Sequence, residues 1–158
     1  MPVDWSSLAL GPEIAGIATA IALILGVCLA WILQNREFPG KTTLVAVATA
    51  AMALPAPLLC YYLLAELGHR WPLTRLGLAV AGVVSVLPYL LRAARTSFAS
   101  LNPAYAQAAR SLGTPEWRVF ARVELPLVWR PLLRAGGLAL VRLLLELTAA
   151  FWIAEPRA

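Results

Sequence analysis

The polar positions of this chain are bunched, and the stretches between the bunches are long and apolar. From Ile14 to Leu33 no charged residue occurs, about the 20 residues an α-helix needs to cross a bilayer core of roughly 30 Å. A second uncharged run extends from Thr42 to Ala65 and is interrupted by Pro55 and Pro57. Their missing amide donors and ring clashes kink a helix unless neighbours satisfy the freed carbonyls, and such breaks often line a cavity. A third, shorter run from Leu76 to Leu91 is flanked by Arg75 and Arg92, whose charged ends snorkel outwards, and Thr74 and Ala93 extend it. The fourth begins near Leu132 and reaches Ile153, carrying Arg142 and Glu146 where a lipid-facing helix tolerates neither easily. This pattern predicts an all-α polytopic bundle of about four spans. It makes one transmembrane domain over residues 1–158, with a polar connection at about 92–126.

Composition agrees with lipid as the solvent: 61% of residues are hydrophobic and 13% charged. The formal net charge of +5 does not point to nucleic acid, because the arginines gather between apolar runs with no basic stripe or interleaved aromatic platform. It reads instead as a topology signal. Asp4 and Glu13 precede the first run, where a cleaved signal peptide has a basic start, so the first span is expected to stay with its N-terminus outside. That orientation puts Arg36, Lys41, Arg92, Arg95, Arg110, Arg118, Arg122, Arg130 and Arg134 on the cytoplasmic side, and leaves Arg70, Arg75 and Arg157 opposite. Trp31, Tyr61, Tyr62, Trp71, Tyr89 and Trp152 fall near span ends, where an amphipathic ring suits the headgroup layer. Cys28 and Cys60 lie in apolar runs and form no CxxC pair, and His69 stands alone in a polar connection, so no metal, redox group or cofactor is implied.

The connection between the third and fourth runs is punctuated for short helices. Asn102 followed by Pro103 is an N-cap with proline at the first helical position, and Gly113 is placed to end that helix in the left-handed conformation. Thr114, Pro115 and Glu116 then repeat the starting signal, which predicts two short helices meeting at a corner. Tyr105, Ala108, Ala109 and Leu112 share one face of the first helix, and its small alanines let another surface approach closely. Periodicity alone fits equally a docking face for another protein and an amphipathic helix lying on the inner leaflet.

Gln107-Ala108-Ala109, three residues, Gly113, nine residues, then Val123-Glu124-Leu125-Pro126 resembles the EAA loop, EAA-x3-G-x9-I-x-LP, of ABC importer permeases. The resemblance implies that Tyr105, Gln107, Ala108, Ala109, Gly113, Leu125 and Pro126 form a coupling segment that docks on a cytoplasmic ATPase. Gln107 stands where the family has glutamate, so a charge-assisted contact becomes a neutral hydrogen bond. Arg36-Glu37-Phe38-Pro39-Gly40-Lys41, and Leu54-Pro55-Ala56-Pro57 followed by Tyr61, are similar to the molybdate branch of that family. Arg142-Leu143-Leu144-Leu145-Glu146 is similar to its R-x-L-G-E segment, with Leu145 in place of glycine.

The resemblance implies a type I importer permease for an oxyanion such as molybdate or tungstate, in the cytoplasmic membrane. Its implied partners are an ABC ATPase subunit, an external oxyanion-binding protein, a second permease copy and membrane lipid. Pro55, Pro57, Arg142 and Glu146 are then candidates for the translocation path. Arg142 and Glu146, four apart on one helix face, read equally well as a self-neutralised pair that only fixes packing. The chain contains no GxxxxGK[ST] loop and no catalytic triad pattern, so ATP hydrolysis is assigned to a partner. Relative to that family the chain stops before a further span. This leaves a sulfate or other anion permease, and a truncated interaction subunit that does not transport, as alternatives.

Overall fold

A computed structural model describes residues 5–35, 39–51 and 75–154, all of them helix or short turns. Helix α1 is Trp5–Asn35, α2 is Lys41–Ala51 and α3 is Arg75–Ala99. Two short elements follow, α4 at Pro103–Ser111 and α5 at Glu116–Val119. A π-helical turn, Phe120–Glu124, then leads without a break into α6, Leu125–Ala154. Residues 52–74, with Pro55, Pro57, Cys60 and His69, lie outside the described residues, as do residues 1–4, 36–38 and 155–158.

The apolar runs become helices longer than hydropathy alone marks. The span expected at 14–33 sits inside α1, and that at 76–91 inside α3. Among the described residues, two stretches, Gly11–Asn35 and Ala79–Ala99, are long and apolar enough to cross a membrane. Helix α3 does not stop at Arg92 but runs through Arg95 to Ala99. Arginine is a good helix former and keeps its head in water while its stem lies along the helix, so a charge bounds the lipid layer without ending the backbone. Within 92–126 the structure places the end of α3, both short helices and the π turn.

Small residues set how α1 and α3 meet. A Cβ placed on Gly26 would lie 3.2 Å from the Leu91 amide nitrogen and 3.3 Å from the Leu90 carbonyl carbon. One placed on Gly82 would lie 3.1 Å from Ala18 Cβ and 3.2 Å from Leu143 Cδ2. Ala18 therefore pairs with Gly82, and Gly26 with residues 90–91, so the two helices run in the same direction. Along α1 the facing seam is Ala15, Ala18, Ala22, Gly26 and Ala30, all buried. Lipid offers no hydrophobic drive between helices, and close backbone approach supplies dispersion contacts in its place. Helix α6 runs the opposite way, with Gly136 against Leu23 and Leu143 near Ala18 and Gly82.

The core forms two layers. One contains Ala15, Ala18, Ala22, Val86, Leu90, Ala135, Ala139 and Leu143. The other, nearer the end that carries α4, contains Val27, Ala30, Leu33, Leu91, Ala94, Phe98, Val128 and Leu132. Outward faces remain apolar, including Ile17, Ile21 and Ile24 on α1 and Leu138, Val141 and Leu145 on α6. Such a surface suits a hydrocarbon solvent.

Candidate functional site

Helix α4 is shaped by its two ends. Asn102 is extended, with φ −68° and ψ 120°, and its Oδ1 accepts the Ala104 amide at 3.0 Å while Pro103 occupies the first turn. At the other end Gly113 takes φ +76°. Its amide donates to the Arg110 carbonyl at 2.9 Å, and the Thr114 amide to the Ala109 carbonyl at 3.2 Å, a Schellman closure. Both boundaries match the sequence signals.

The second start signal works differently from expectation. Pro115, not Thr114, holds the N-cap position, and no side chain caps the turn. The Thr114 amide is drawn back into the closure of α4, so its backbone belongs to the helix end rather than to the next beginning. The Pro115 carbonyl instead accepts the amides of Arg118 at 2.9 Å and Val119 at 3.2 Å. The Glu116 carboxylate is taken by Arg110 across the corner, with Nε to Oε1 at 2.7 Å and Nη2 to Oε2 at 3.1 Å. That hydrogen bond raises the Arg110 guanidinium above its ordinary range, slight burial opposes it, and the charges of Glu116 and Glu124 add to it.

Only Ala106 of α4 is buried towards the bundle. Tyr105, Gln107 and Ala108 are exposed, Ala109 is half-buried and Leu112 is 85% exposed. The apolar face read from the sequence therefore points away from the molecule.

Sequence also predicts that α5 is a separate short helix and that the last span starts near residue 132. In the structure α5 is the first turn of one continuous helical segment that ends at Ala154. The π turn explains how. Pro126 has no amide to donate, and its ring presses on the carbonyl of residue 122 in a regular α-helix. Widening at Phe120–Glu124 makes room, and the Leu125 amide bonds back to the Phe120 carbonyl. Leu125, half-buried, and Pro126, exposed, thus open α6 directly after the turn.

The same turn is clamped to both neighbouring helices. Trp31 Nε1 of α1 donates to Glu124 Oε2 at 2.9 Å. The Phe120 ring lies 4.9 Å from that of Trp31 and 6.0 Å from that of Phe98, centroid to centroid. A cleft of about 120 Å³ opens beside this clamp, between Gln34 and Asn35 of α1 and Tyr105 and Arg110 of α4. Sequence reasoning placed Trp31 at the headgroup level and missed its partner, 93 positions away. The available signal was Pro126 inside a helical run.

Deeper in the bundle, Arg142 Nε donates to Glu146 Oε1 at 2.8 Å, four residues apart on α6. The Ser85 hydroxyl of α3 donates to Glu146 Oε2 at 2.7 Å. The Glu146 side chain is 8% exposed and that of Arg142 38%, so the carboxylate is enclosed while the guanidinium reaches the surface. Ser85, which the pattern did not single out, ties this pair to a second helix. Leu145, in the glycine position of the resemblance, is 66% exposed. Pro55 and Pro57 are outside the described residues.

Comparison with known proteins gives this helical bundle a family. Residues 15–157 match the family described as "Binding-protein-dependent transport system inner membrane component". The chain is 29% identical over 160 residues to the molybdenum transport system permease protein ModB of Escherichia coli strain K12, covering 92% of this chain and 70% of that one. It is 31% identical over 153 residues to the sulfate transport system permease protein CysT of the same strain, covering 89% and 55%. In fold it is similar to a solved amino acid ABC transporter crystallised with histidines, with a TM-score of 0.70 at 19% identity, over 97% of this chain and 78% of that one. The described residues are all helix and turn, with the fold of that ABC transporter chain, and the family is one of inner membrane transport components. The chain belongs to the binding-protein-dependent transport system inner membrane component family.

Proposed function

We propose that this chain is a permease subunit for a tetrahedral oxyanion, with molybdate or tungstate the preferred cargo, and that a separate ABC ATPase supplies the energy. The observation that carries the coupling half is the outward apolar face of α4, with Tyr105, Ala108 and Leu112 unburied on a helix fixed at both ends. Gln107, Ala108 and Ala109 seat on the ATPase, Gly113 holds the corner, and Leu125 and Pro126 pass the movement into α6. An external binding protein delivers the anion, a second copy completes the pathway, and the N-terminus lies outside. Residues 1–158 act as one transmembrane domain whose coupling loop lies within about 92–126.

The oxyanion class is supported by similarity to both a molybdenum and a sulfate permease at comparable identity. Preference for molybdate rests on the molybdate-like stretches at 36–41 and 54–61. Sulfate is the second reading, favoured by the 31% identity to CysT. Pro55, Pro57, Arg142 and Glu146 flank the path, with Arg142 the candidate to meet an anion because its side chain is partly exposed. The test is reconstitution with the cognate ATPase and binding protein in proteoliposomes. Molybdate-stimulated ATP hydrolysis, with uptake that excess sulfate leaves intact, is expected. Stimulation by sulfate alone transfers the assignment to sulfate, and stimulation by neither anion rejects the oxyanion reading.

A further inference from the structure

A groove of about 610 Å³ runs between α3 and α6 at the end of the bundle that carries α4. Arg92 lines it from α3 and Arg134 from α6, together with Tyr89, Thr96, Ser100 and Pro131. No carboxylate lines it. Among the described residues the carboxylates near this half of the bundle are committed elsewhere: Glu116 to Arg110 and Glu124 to Trp31. Glu146 is held by Arg142 and Ser85. Among the described residues, two guanidiniums on facing helices thus have no carboxylate partner beside this cavity.

The hydroxyls around them do not change the sign of the site. Thr96 donates to the Arg92 carbonyl at 3.0 Å and Ser100 to the Ser97 carbonyl at 2.8 Å, so their protons turn inwards to α3. The cationic donors open to a guest are the guanidinium forks, whose planar geometry matches two oxygens of a tetrahedral anion, with the Tyr89 hydroxyl beside them. The volume holds on the order of twenty waters, room for a hydrated oxyanion or for a headgroup phosphate.

We propose that the α3–α6 groove is an anion site in which Arg92 and Arg134 together hold a phosphate-class tetrahedral oxyanion. Two sources offer that chemistry, an anionic lipid headgroup and a free oxyanion in transit. The free-anion source rests on the transport reading above, and the lipid source does not.

The experiment uses the full chain assembled with its ATPase in nanodiscs, in two arms. One arm has phosphatidylcholine only and measures radiolabelled molybdate by equilibrium dialysis. The other mixes phosphatidylcholine with spin-labelled phosphatidylglycerol and measures enrichment of the labelled lipid. Either single variant, R92Q or R134Q, is expected to weaken binding about tenfold in at least one arm, and the double variant to abolish it. R95Q, on the same helix but outside the groove, is expected to leave both arms unchanged. Wild-type binding by the double variant in both arms overturns the proposal, as does an equal loss in R95Q. If the double glutamine variant does not assemble, R92K/R134K replaces it: partial weakening supports the fork geometry and unchanged binding in both arms refutes it. Uptake by the wild type is measured in parallel. Lipid enrichment without any oxyanion uptake removes the transport reading while leaving the groove assignment standing.

Discussion

The bundle and the connection at 100–115 are built on different physics. In the bundle, α1, α3 and α6 are positioned by what they bury: glycines and alanines at close approach, Leu90 and Leu143 fully enclosed, and the Arg142–Glu146–Ser85 network. In the connection almost nothing is buried, and its shape comes from Asn102, Gly113 and the Arg110–Glu116 bridge. The difference explains how α4 keeps an apolar face turned outwards. A segment fixed by its own backbone does not need to fold that face inwards to hold its form, so the face stays free for a second protein.

Changes in the bundle are therefore expected to alter stability, and changes in the connection to alter docking with stability intact. The largest effect is expected for Glu146→Ala, which strands Arg142 and Ser85. A loss of about 2–4 kcal/mol is expected, since removing one partner leaves the other charge uncompensated, and thermal unfolding in lipid nanodiscs measures it. Replacing both Arg142 and Glu146 by leucine is expected to restore most of that stability while reducing transport. Next comes Gly26→Val, whose added carbons meet backbone atoms of α3 that have little room to yield. About 1–3 kcal/mol is expected from overpacking, read by the same unfolding assay.

Gly113→Ala tests the other half. Its φ of +76° disfavours any side chain, at about 1–2 kcal/mol, but the strain is confined to the corner. Faster hydrogen exchange over 103–115 and loss of ATPase-coupled uptake are expected, with an unchanged unfolding midpoint for the bundle. A shift of that midpoint as large as for Gly26→Val would mean that corner and bundle are held by the same contacts.

Arg110→Ala is expected to change stability by less than about 1 kcal/mol, because the bridge is solvent-exposed, and to loosen the corner more at low salt than at high. Its pH behaviour has a definite sign. A cation whose folded pKa is raised contributes fully below its unfolded value and loses that contribution only as pH climbs through the folded one. Corner rigidity is thus expected to stay constant across about pH 6 to 9, followed by hydrogen exchange corrected for intrinsic rate. The smallest effect belongs to Thr19→Val. The Thr19 Oγ1 is buried in the seam without a partner among the described residues, so the swap is expected to be neutral or to stabilise by up to about 1 kcal/mol.

What sequence revealed follows the same division. The ends of α4 were legible because a cap is a local device, decided by Asn102, Pro103 and Gly113 with no help from elsewhere. The Arg142–Glu146 pair was legible because four residues on a helix fix its distance. The spans were legible as hydropathy, but their lengths were not: arginines at 92 and 95 mark a lipid boundary and do not break a helix. Thr114 misled because two helix signals compete for one peptide unit. The contacts that assemble the whole depend on how helices come to lie side by side, and no local rule encodes them. Trp31 reaches Glu124, Ser85 reaches Glu146, and Gly26 meets Leu91 only after the register of α1, α3 and α6 is fixed.

The widened turn at Phe120–Glu124 has a geometric corollary. It holds one residue more than an α turn, so every side chain downstream is out of phase by about 100° with the helix that an unbroken α ladder would make. Glu146 meets Ser85 in the phase that this widened turn sets. Because a tighter turn would drive the Pro126 ring into the carbonyl of residue 122, the offset is locked in, and a tilt imposed at the rim would reach the mid-depth of α6 as the motion of one stiff rod.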